Sequence, residues 1–273
     1  MHCAVLGDPI EHSLSPVLHR AAYAALGLDW TYDAVRVRSG GVAAFLDGLD
    51  ASWRGLSLTM PLKREVMPLL TSRDSWAVVS GAANTVLLDA GGRHGLNTDV
   101  PGAIAAIREA TDAPVDRALV LGGGATAAST LLALGELGCT SATLLVRDAD
   151  RARETVETVA RSGRHPAVRV EPLSDLATIS EAPADILVST VPAAAQTPAL
   201  LEATAAVPVV FDVVYDPWPT PLVAAARAQG RTAVTGLDLL LWQAVDQVRA
   251  MTGRFDVPVD TMREAGVRAL ATP

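Results

Sequence analysis

A glycine-rich turn is the segment whose residue types and spacing most directly suggest chemistry. It reads Leu121-Gly122-Gly123-Gly124-Ala125-Thr126-Ala127, and Gly122, Gly124 and Ala127 match the pattern G-x-G-x-x-G/A. In this pattern the first glycine permits a tight turn, the second lets a pyrophosphate approach the backbone, and the small third residue lets a helix pack on its strand. A buried strand precedes the turn and a helical pattern follows it, so the amino terminus of that helix would face the anion. We therefore predict a dinucleotide site formed by Gly122, Gly123, Gly124, Ala125, Thr126 and Ala127.

The residues after the next strand bear on which dinucleotide would bind. They read Val146-Arg147-Asp148-Ala149-Asp150-Arg151. An acidic residue at this place usually holds the ribose hydroxyls of NAD, whereas an arginine accommodates the 2′-phosphate of NADP. Arg147, and Arg151 one helical turn further on, therefore favour NADP(H) as the cofactor. The same stretch also fits two exposed arginines with Asp148 as a helix cap or a ribose ligand, which keeps NAD open.

Four further segments are dense in polar residues at predicted turns: Gly7–Pro16, Ser57–Lys63, Gly81–Thr85 and Asn97–Asp99. In this order and at these spacings they resemble the shikimate dehydrogenase family. That family shows G-x-P-x-x-H-S-x-S-P, a strand end like N-V-T-x-P-x-K, G-A-x-N-T and N-T-D. The resemblance continues past the glycine turn to Tyr215 and to the run from Gly236 to Gln243, so it covers nearly the whole chain.

The resemblance implies a reaction and its residues. The family reduces the ketone of 3-dehydroshikimate to shikimate with NADPH, a reversible step of the shikimate pathway of aromatic amino-acid biosynthesis. Lys63 and Asp99 would be the catalytic pair, and Val213 and Gly236 would add cofactor contacts, with no metal. The implied substrate-binding residues are Ser13 and Ser15 for the carboxylate, Tyr215 near it, and Thr59, Lys63, Asn84, Asp99 and Gln243 for the ring hydroxyls.

The chemistry of ketone reduction agrees with the role implied for Lys63. Hydride arriving at a ketone carbon creates an alkoxide, which a positioned ammonium can stabilise and protonate. An adjacent carboxylate such as Asp99 orients the ammonium and favours its charged form. In the reverse direction the pair must accept a proton, so we expect oxidation to improve at alkaline pH.

Several of these positions also have a purely structural interpretation. Ser15 before Pro16 is typical of a helix N-cap, and Asp99 could cap the helix predicted from Val100. Gln243 lies in an apolar helix, where a buried amide needs partners that either a ligand or the backbone could supply.

The sequence departs from the family pattern at the cofactor motif and leaves other functions open. Val146 and Asp148 stand where the family has the Asn and Thr of an N-R-T motif, which leaves Arg147 as the main 2′-phosphate contact. One alternative is a paralogue that uses NAD and oxidises quinate. Another is a catalytically silent nucleotide-sensing protein of the same fold, and a third is a related dehydrogenase of a folate or amino acid.

The elements that must position these residues alternate between strand and helix along the chain. This pattern predicts an α/β fold with an N-terminal α/β substrate domain, a Rossmann-type doubly wound NADP-binding domain, and C-terminal helices that return to the first domain. We expect domain boundaries at 1–100 plus 237–273 for the substrate domain and at 101–236 for the dinucleotide domain. The predicted strands are Cys3–Gly7, Tyr32–Val37, Gly55–Thr59, a hairpin of Asn84–Leu88 with Arg93–Leu96, Ala118–Leu121, Ala142–Val146, Val168–Val170, Ile186–Ser189, Val207–Val213 and Thr232–Val234. The predicted helices include one that starts at Ser15 and stops at Gly27, Val100–Ala110, Leu237–Met251 and Val259–Leu270.

Composition narrows the classes of partner. The chain has 273 residues, of which 50% are hydrophobic, and a net charge of −8, which argues against a nucleic acid or a membrane surface as a partner. Its two cysteines, Cys3 and Cys139, offer neither a disulfide framework nor the spacing of metal ligands. The N-terminal stretch lacks the basic region of a signal peptide. We expect a cytoplasmic protein, monomeric or homodimeric, that acts on a small molecule.

Overall fold

Apolar, β-branched runs form two sheets in the computed structural model, which describes residues 1–181 and 183–271 and, at 151 and 176–178, the backbone alone. The chain divides into two compact units. The first unit comprises Met1–Thr98 and Leu240–Pro273, and the second comprises Asp99–Leu239. Each unit contains one six-stranded sheet.

The strands are β1 His2–Gly7, β2 Thr31–Arg36, β3 Trp53–Leu58, β4 Ser72–Arg73, β5 Thr85–Asp89, β6 Gly92–Leu96, β7 Arg117–Leu121, β8 Ser141–Val146, β9 Ala167–Pro172, β10 Ile186–Ser189, β11 Val209–Asp212 and β12 Thr232–Thr235. The helices are α1 Ser15–Ala25, α2 Val42–Asp47, α3 Leu62–Glu65, α4 Ser75–Ser80, α5 Asp99–Ala110, α6 Ala125–Glu136, α7 Ala149–Ala160, α8 Leu176–Glu181, α9 Pro198–Ala203, α10 Pro221–Ala228, α11 Gly236–Thr252 and α12 Val259–Leu270.

The sheet of the first unit is mixed, with the order β2-β1-β3-β5-β6-β4. β1 runs parallel to β2 and β3, whereas β5 is antiparallel to both β3 and β6. The carboxyl ends of β1 and β3 therefore lie at the same edge as the start of β5 and the end of β6. This arrangement is what gathers the four polar segments.

Alternation along β1 shows how this sheet buries both faces. Cys3 and Val5 belong to a core cluster with Leu241 and Met262, contributed by α11 and α12. The intervening residues Ala4 and Leu6 belong to a second cluster that includes Leu56 and Val86 of the neighbouring strands. A strand covered on both faces needs apolar residues at every position, which is why β1 reads as a continuous apolar run.

The sheet of the second unit is entirely parallel, with the order β12-β11-β10-β7-β8-β9. The chain starts at β7, moves outward to β8 and β9, and then crosses to β10 on the other side of β7. This reversal between β7 and β10 is the switch point of a doubly wound fold, where such sheets bind ligands beyond the carboxyl ends of the strands. The predicted α/β class and doubly wound sheet are confirmed.

Most predicted elements agree with the structure, and one short strand was missed. Strand β10 and helix α12 have the predicted bounds, and α1 ends at Ala25, just before Gly27 with its φ of +66°. Strand β4 was not predicted, because it has only two residues and no apolar period. Among the helices that the structure describes, none is both long enough and apolar enough to span a bilayer.

The borders of the two units lie near the predicted domain boundaries. The units meet at 98/99 and 239/240, against predicted boundaries at 100/101 and 236/237. Assigning substrate to one unit and dinucleotide to the other stays a prediction at this point.

Candidate active site

Three backbone hydrogen bonds join the polar segments at one edge of the first sheet. The Asp8 amide donates to the Met60 carbonyl at 2.9 Å, after β1 and β3 respectively. The Leu58 amide donates to the Asn84 carbonyl at 2.7 Å, and the Asn84 amide donates to the Leu96 carbonyl at 3.1 Å. Predicted site residues that lie far apart in the sequence are thereby held on neighbouring strand ends.

Gly7 allows the first two of these segments to meet. A Cβ atom at this position would overlap the methyl group of Thr59 and lie 3.1 Å from the carbonyl oxygen of Met60. The Thr59 amide also donates to the Leu6 carbonyl at 2.9 Å. Thr59 is therefore fixed, half-buried, directly beside the loop that carries the two predicted serine ligands.

The two serines differ in their surroundings. Ser13 is half-buried in a turn closed by its amide and the Ile10 carbonyl, and its hydroxyl oxygen accepts from the Ser15 amide at 3.4 Å. Ser15 is buried, and its side chain hydrogen-bonds the Tyr32 hydroxyl. The expectation that Ser15 is the N-cap of α1 is wrong: Leu14 occupies the N-cap position without a side-chain cap, and Ser15 is the first helical residue.

Asn84 is hydrogen-bonded through both the oxygen and the nitrogen of its side-chain amide. It is 1% exposed, and its Nδ2 donates to Thr98 Oγ1 at 2.9 Å and to Gln243 Oε1 at 3.3 Å. Its Oδ1 accepts from the Thr98 amide at 2.9 Å and from Thr85 Oγ1 at 3.0 Å. These contacts fix a single orientation of the amide.

Gln243 joins helix α11 to this edge. Besides accepting from Asn84, it donates from Nε2 to the Leu240 carbonyl at 2.8 Å. The partners that a buried glutamine requires are thus supplied by a backbone carbonyl and a second predicted ligand, so the structural interpretation and the ligand role are compatible.

Lys63 lies on the short helix α3, next to the segment that contains Asn84. Its carbonyl accepts from the Ala83 amide at 2.8 Å, and its side chain is partly buried. The helix follows β3 directly, so the strand end determines where the lysine lies.

The N-T-D segment is held by α4 and its N-cap residue. Asp74, whose pKa is raised by burial, caps α4 through the Ala77 amide at 2.6 Å and accepts from the Asn97 amide at 3.2 Å. Asn97 Nδ2 donates to Ser80 Oγ at 2.9 Å. Asp99 follows Thr98 as the first residue of α5, is 6% exposed and belongs to the second unit. Its pairing with Lys63 stays a prediction.

Sequence reasoning missed two residues of this cluster, Thr98 and Gln247. Thr98 was included in a motif but given no role, although both its amide and its hydroxyl contact Asn84. Gln247 is 1% exposed and lies one helical turn after Gln243 on the same face of α11. A second glutamine at that spacing in an apolar helix was the available signal.

The glycine-rich turn in the second unit has the geometry of a phosphate cradle. Gly122 has a φ of +98°, which favours glycine, and a side chain there would also collide with Thr190 Oγ1. Gly124 is the N-cap of α6 without a side-chain cap, and no atom lies within 4 Å of a Cβ built there. Ala127 is fully buried. The amides of Ala125 and Thr126 belong to the first turn of α6, where backbone N–H groups have no helical partner and favour an anion.

Two hydrogen bonds to neighbouring elements hold the backbone of the turn in place. The Gly122 amide donates to the Leu145 carbonyl at 2.8 Å, and Thr155 Oγ1 of α7 donates to the Gly123 carbonyl at 2.8 Å. The backbone of the turn is therefore held while its outer side at Gly124 stays exposed.

The arginine segment after β8 divides into a capping and an exposed residue. Asp148 is the N-cap of α7 and accepts from the Asp150 amide at 2.9 Å. Arg147 is exposed directly after the strand. The Arg151 side chain lies outside the described residues. Arg147 is thus an exposed cation at the end of the strand next to the glycine turn, beside the capping carboxylate of Asp148.

Val213 and Gly236 meet at the carboxyl ends of β11 and β12. A Cβ on Gly236 would lie 2.5 Å from the Val213 carbonyl oxygen, so only glycine permits this approach. Tyr215 is half-buried in the loop that follows. Asp212, which burial gives a raised pKa, anchors this loop by accepting from Thr220 Oγ1 at 2.6 Å.

The second unit therefore offers the groups that a dinucleotide phosphate needs: an open cradle at Gly124, free amides at a helix start, and Arg147 beyond the next strand. Because Arg147 is a cation and Asp148 is used as a cap, the residues present fit NADP(H) better than NAD(H). Fold and site together define a nucleotide-dependent oxidoreductase of the α/β class.

Comparison with known proteins identifies the family. Residues 5–86 match the shikimate dehydrogenase substrate binding domain, and residues 236–265 match the shikimate 5′-dehydrogenase C-terminal domain. The shikimate dehydrogenase (NADP(+)) of Moorella thermoacetica is 37% identical over 267 residues, which cover 95% of this chain and 90% of the relative. This chain belongs to the shikimate dehydrogenase family.

Comparison with solved structures supports the same family. The chain is similar to Mycobacterium tuberculosis shikimate dehydrogenase, with a TM-score of 0.87 and 38% identity over 100% of this chain and 99% of that one. Shikimate 5-dehydrogenase from Thermus thermophilus, in complex with NADP(H) and shikimate, has a TM-score of 0.85 and 31% identity over 99% and 100% of the two chains. Quinate dehydrogenase from Corynebacterium glutamicum, in complex with NAD, has a TM-score of 0.87 and 30% identity over 98% and 99%.

Proposed function

We propose that this chain catalyses the reversible, NADPH-dependent reduction of 3-dehydroshikimate to shikimate in the biosynthesis of aromatic amino acids. The observation that carries the proposal is the hydrogen-bonded edge of the first unit, where Asn84 and Gln243 lie beside the Lys63 segment in a member of this family. We assign substrate binding to the first unit and dinucleotide binding to the second.

Lys63 is the proposed proton donor, and the composition of the chain supports this role. Of its 22 Lys and Arg residues, Lys63 is the only lysine. Arginine supplies every other side-chain cation of this kind, and a guanidinium does not give up its proton near neutral pH, whereas an amine can. The one lysine of the chain therefore supplies the transferable proton that the reaction requires.

The mechanism follows from the chemistry of ketone reduction. NADPH, when bound, supplies the hydride. Lys63 stabilises the oxygen anion that develops on the ketone and delivers a proton to it, and Asp99 orients the ammonium. In the oxidative direction Lys63 takes the proton back from the hydroxyl, so that rate should rise with pH.

Neutral hydrogen-bonding groups are proposed to recognise the rest of the substrate. Ser13 and Ser15 bind the carboxylate with Tyr215 near it, and Thr59, Asn84 and Gln243 bind the ring hydroxyls together with the catalytic pair. A site built from buried polar groups rejects an analogue that lacks a matching hydroxyl, because a buried polar group would then lose a partner. Recognition by neutral groups suits a ligand whose ring carries hydroxyls.

We propose that the cofactor lies on the turn Gly122–Ala127, with Arg147 and Arg151 at the 2′-phosphate and with Val213 and Gly236 at the far strand ends. The fit of Arg147 and the capping role of Asp148 support NADP(H) over NAD(H). We further propose a cytoplasmic enzyme, monomeric or homodimeric, without nucleic-acid or membrane partners. The similarity to a quinate dehydrogenase makes NAD-dependent quinate oxidation the second candidate.

Initial rates with four substrate and cofactor pairs test the proposal. The purified chain is assayed with shikimate or quinate, each with NADP and NAD, and kcat/KM is compared. We expect the highest value for shikimate with NADP. A higher value for quinate with NAD would assign the second candidate, and no turnover with any pair would indicate a nucleotide-sensing protein instead.

A further inference from the structure

Gln247 is a buried amide that the proposed mechanism does not use. Its Oε1 accepts from Ser57 Oγ at 2.9 Å and from His19 Nε2 at 3.1 Å. Its Nε2 donates to Thr85 Oγ1 at 3.0 Å and contacts the Asn84 carbonyl oxygen at 3.4 Å. Every hydrogen-bonding position of the amide is used, with partners from α1, β3 and the start of β5.

The Asn84 carbonyl fixes the orientation of this amide, and the amide in turn fixes the tautomer of His19. The Asn84 carbonyl can only accept, so the NH₂ group of Gln247 must face it. On the other side, burial lowers the pKa of His19 to about 3, so the imidazole is neutral with a single N–H donor. That donor is Nε2–H, because Gln247 Oε1 can only accept, and Nδ1 then accepts from the Tyr23 hydroxyl at 3.3 Å.

From Gln247 the hydrogen bonds continue toward the proposed hydroxyl-binding residues. The Thr85 hydroxyl accepts from Gln247, so its single hydrogen is available to Asn84 Oδ1, which it reaches at 3.0 Å. Asn84 Nδ2 then donates to Gln243 Oε1 at 3.3 Å. One hydroxyl, that of Thr85, is the link between Gln247 and the side chain of Asn84.

In the other direction the bonds continue toward the proposed carboxylate-binding loop. Ser57 donates to Gln247 and accepts from the Tyr32 hydroxyl at 2.6 Å. The Tyr32 hydroxyl also lies beside the Ser15 side chain. The directed bonds therefore run from Tyr32 through Ser57, Gln247, Thr85 and Asn84 to Gln243.

We propose that Gln247 is a positioning residue of the substrate site, holding Asn84 through Thr85 and the Asn84 carbonyl. The inference rests on the proposed function, because it takes Asn84 as a substrate ligand. Gln247 touches no reacting group. It limits the rotamers of the residues that do, because leaving any buried member of this neutral network without its partner is unfavourable.

The Thr85 hydroxyl offers the most selective test. Thr85→Val keeps the shape of the side chain and removes only the hydroxyl, whereas Thr85→Ser keeps the hydroxyl. We expect Thr85→Val to raise KM for shikimate about tenfold, with KM for NADP unchanged and Thr85→Ser within about twofold of the parent. Equal KM values for shikimate in the Val and Ser variants would overturn the proposal.

A double-mutant cycle tests whether Gln247 acts through Asn84. Gln247→Met preserves the length of the side chain and should raise KM for shikimate about tenfold or more, whereas the same change in an Asn84→Ala background should add less than about twofold. Gln229→Glu, at an exposed glutamine on the end of α10, serves as a control that should leave both KM values unchanged. Equal fold-changes in the two backgrounds would show that Gln247 does not act through Asn84.

A measurement without turnover separates this inference from the proposed function. The side-chain amide signals of Asn84 in ¹⁵N NMR of the ligand-free protein should shift in Thr85→Val and Gln247→Met and stay in place in Thr85→Ser. If the parent fails to oxidise shikimate, the proposed function fails and these signals still decide whether Gln247 positions Asn84. Unshifted Asn84 signals in folded Gln247→Met protein would overturn the positioning role.

Discussion

The two units build their proposed binding surfaces in opposite ways. In the first unit, Asn84 has its side-chain amide held by Thr85, Thr98 and Gln243, so the site is made of side chains positioned by other side chains. In the second unit, Gly124 has no side chain and nothing within 4 Å of where one would begin. The first site should therefore respond to the loss of a supporting side chain, and the second to the addition of a side chain.

The largest expected effect comes from removing the one group in the first unit that is proposed to transfer a proton. Lys63→Ala should lower kcat about 10²- to 10⁴-fold, the usual contribution of a general acid or base, while the melting temperature stays close to that of the parent. Lys63→Arg should fail to restore the rate, because it returns the charge but not a transferable proton. Steady-state kinetics and thermal unfolding measure the two effects.

The exposed residue Arg38 provides the control, since Arg38→Ala should leave kcat unchanged. Because Lys63 is the only lysine, an amine-reactive label located by mass spectrometry can react only there and at the α-amino group. Shikimate should protect Lys63 from this label. Near-normal turnover in Lys63→Ala, or full rescue by Lys63→Arg, would contradict the proton-transfer role.

The second unit should respond to an added methyl group rather than a deletion. Gly124 has a φ of −95° and open space around a built Cβ, so Gly124→Ala should fold normally and raise KM for NADP at least about tenfold by obstructing the pyrophosphate. Gly122→Ala should instead lower stability, because the residue has a φ of +98° and a Cβ would meet Thr190. Unfolding curves and cofactor titrations distinguish the two variants. A normal KM for NADP in Gly124→Ala would contradict binding of the pyrophosphate at this turn.

A smaller effect should separate the two cofactors. Arg147→Ala should raise KM for NADP about five- to tenfold, the loss expected for one exposed charge-assisted contact, and leave KM for NAD unchanged. Arg153→Ala is the matched control, because Arg153 is an exposed arginine of the following helix α7 that pairs with Asp150 at 2.6 Å. Equal changes in KM for NAD and for NADP would contradict a contact between Arg147 and the 2′-phosphate.

How far the sequence predicted these sites depends on how local their causes are. The glycine turn could be predicted because its requirements, a positive φ at Gly122 and open space at Gly124, are properties of a few consecutive residues. The assignment of Ser15 as an N-cap was wrong, because α1 begins at Ser15 itself and Leu14 occupies the N-cap position. The spacing of Gln247 from Gln243 was a local signal, but its role could not be predicted because its partners come from three other elements far apart in the sequence.

The smallest expected effect is on the pH dependence of stability, through His19, which is buried in the first unit and contacts Gln247. His19 has its pKa lowered by burial to about 3, against about 6.5 in the unfolded chain. As the pH falls below 6.5, the unfolded chain binds a proton that the folded protein refuses, so this residue lowers stability by up to about 1.4 kcal/mol per pH unit. His19→Gln keeps a donor toward Gln247 and removes the titration, so its free energy of unfolding should be lower at pH 7 but fall less steeply toward pH 5.

Asp74 and Asp212 act in the opposite direction, because burial raises their pKa and the stability they contribute is lost as the pH rises. Both residues are present in the parent and in His19→Gln, so their contributions cancel in the comparison. Urea unfolding at several pH values therefore isolates His19 in the difference between the two slopes, and parallel slopes would mean that burial does not keep this imidazole neutral.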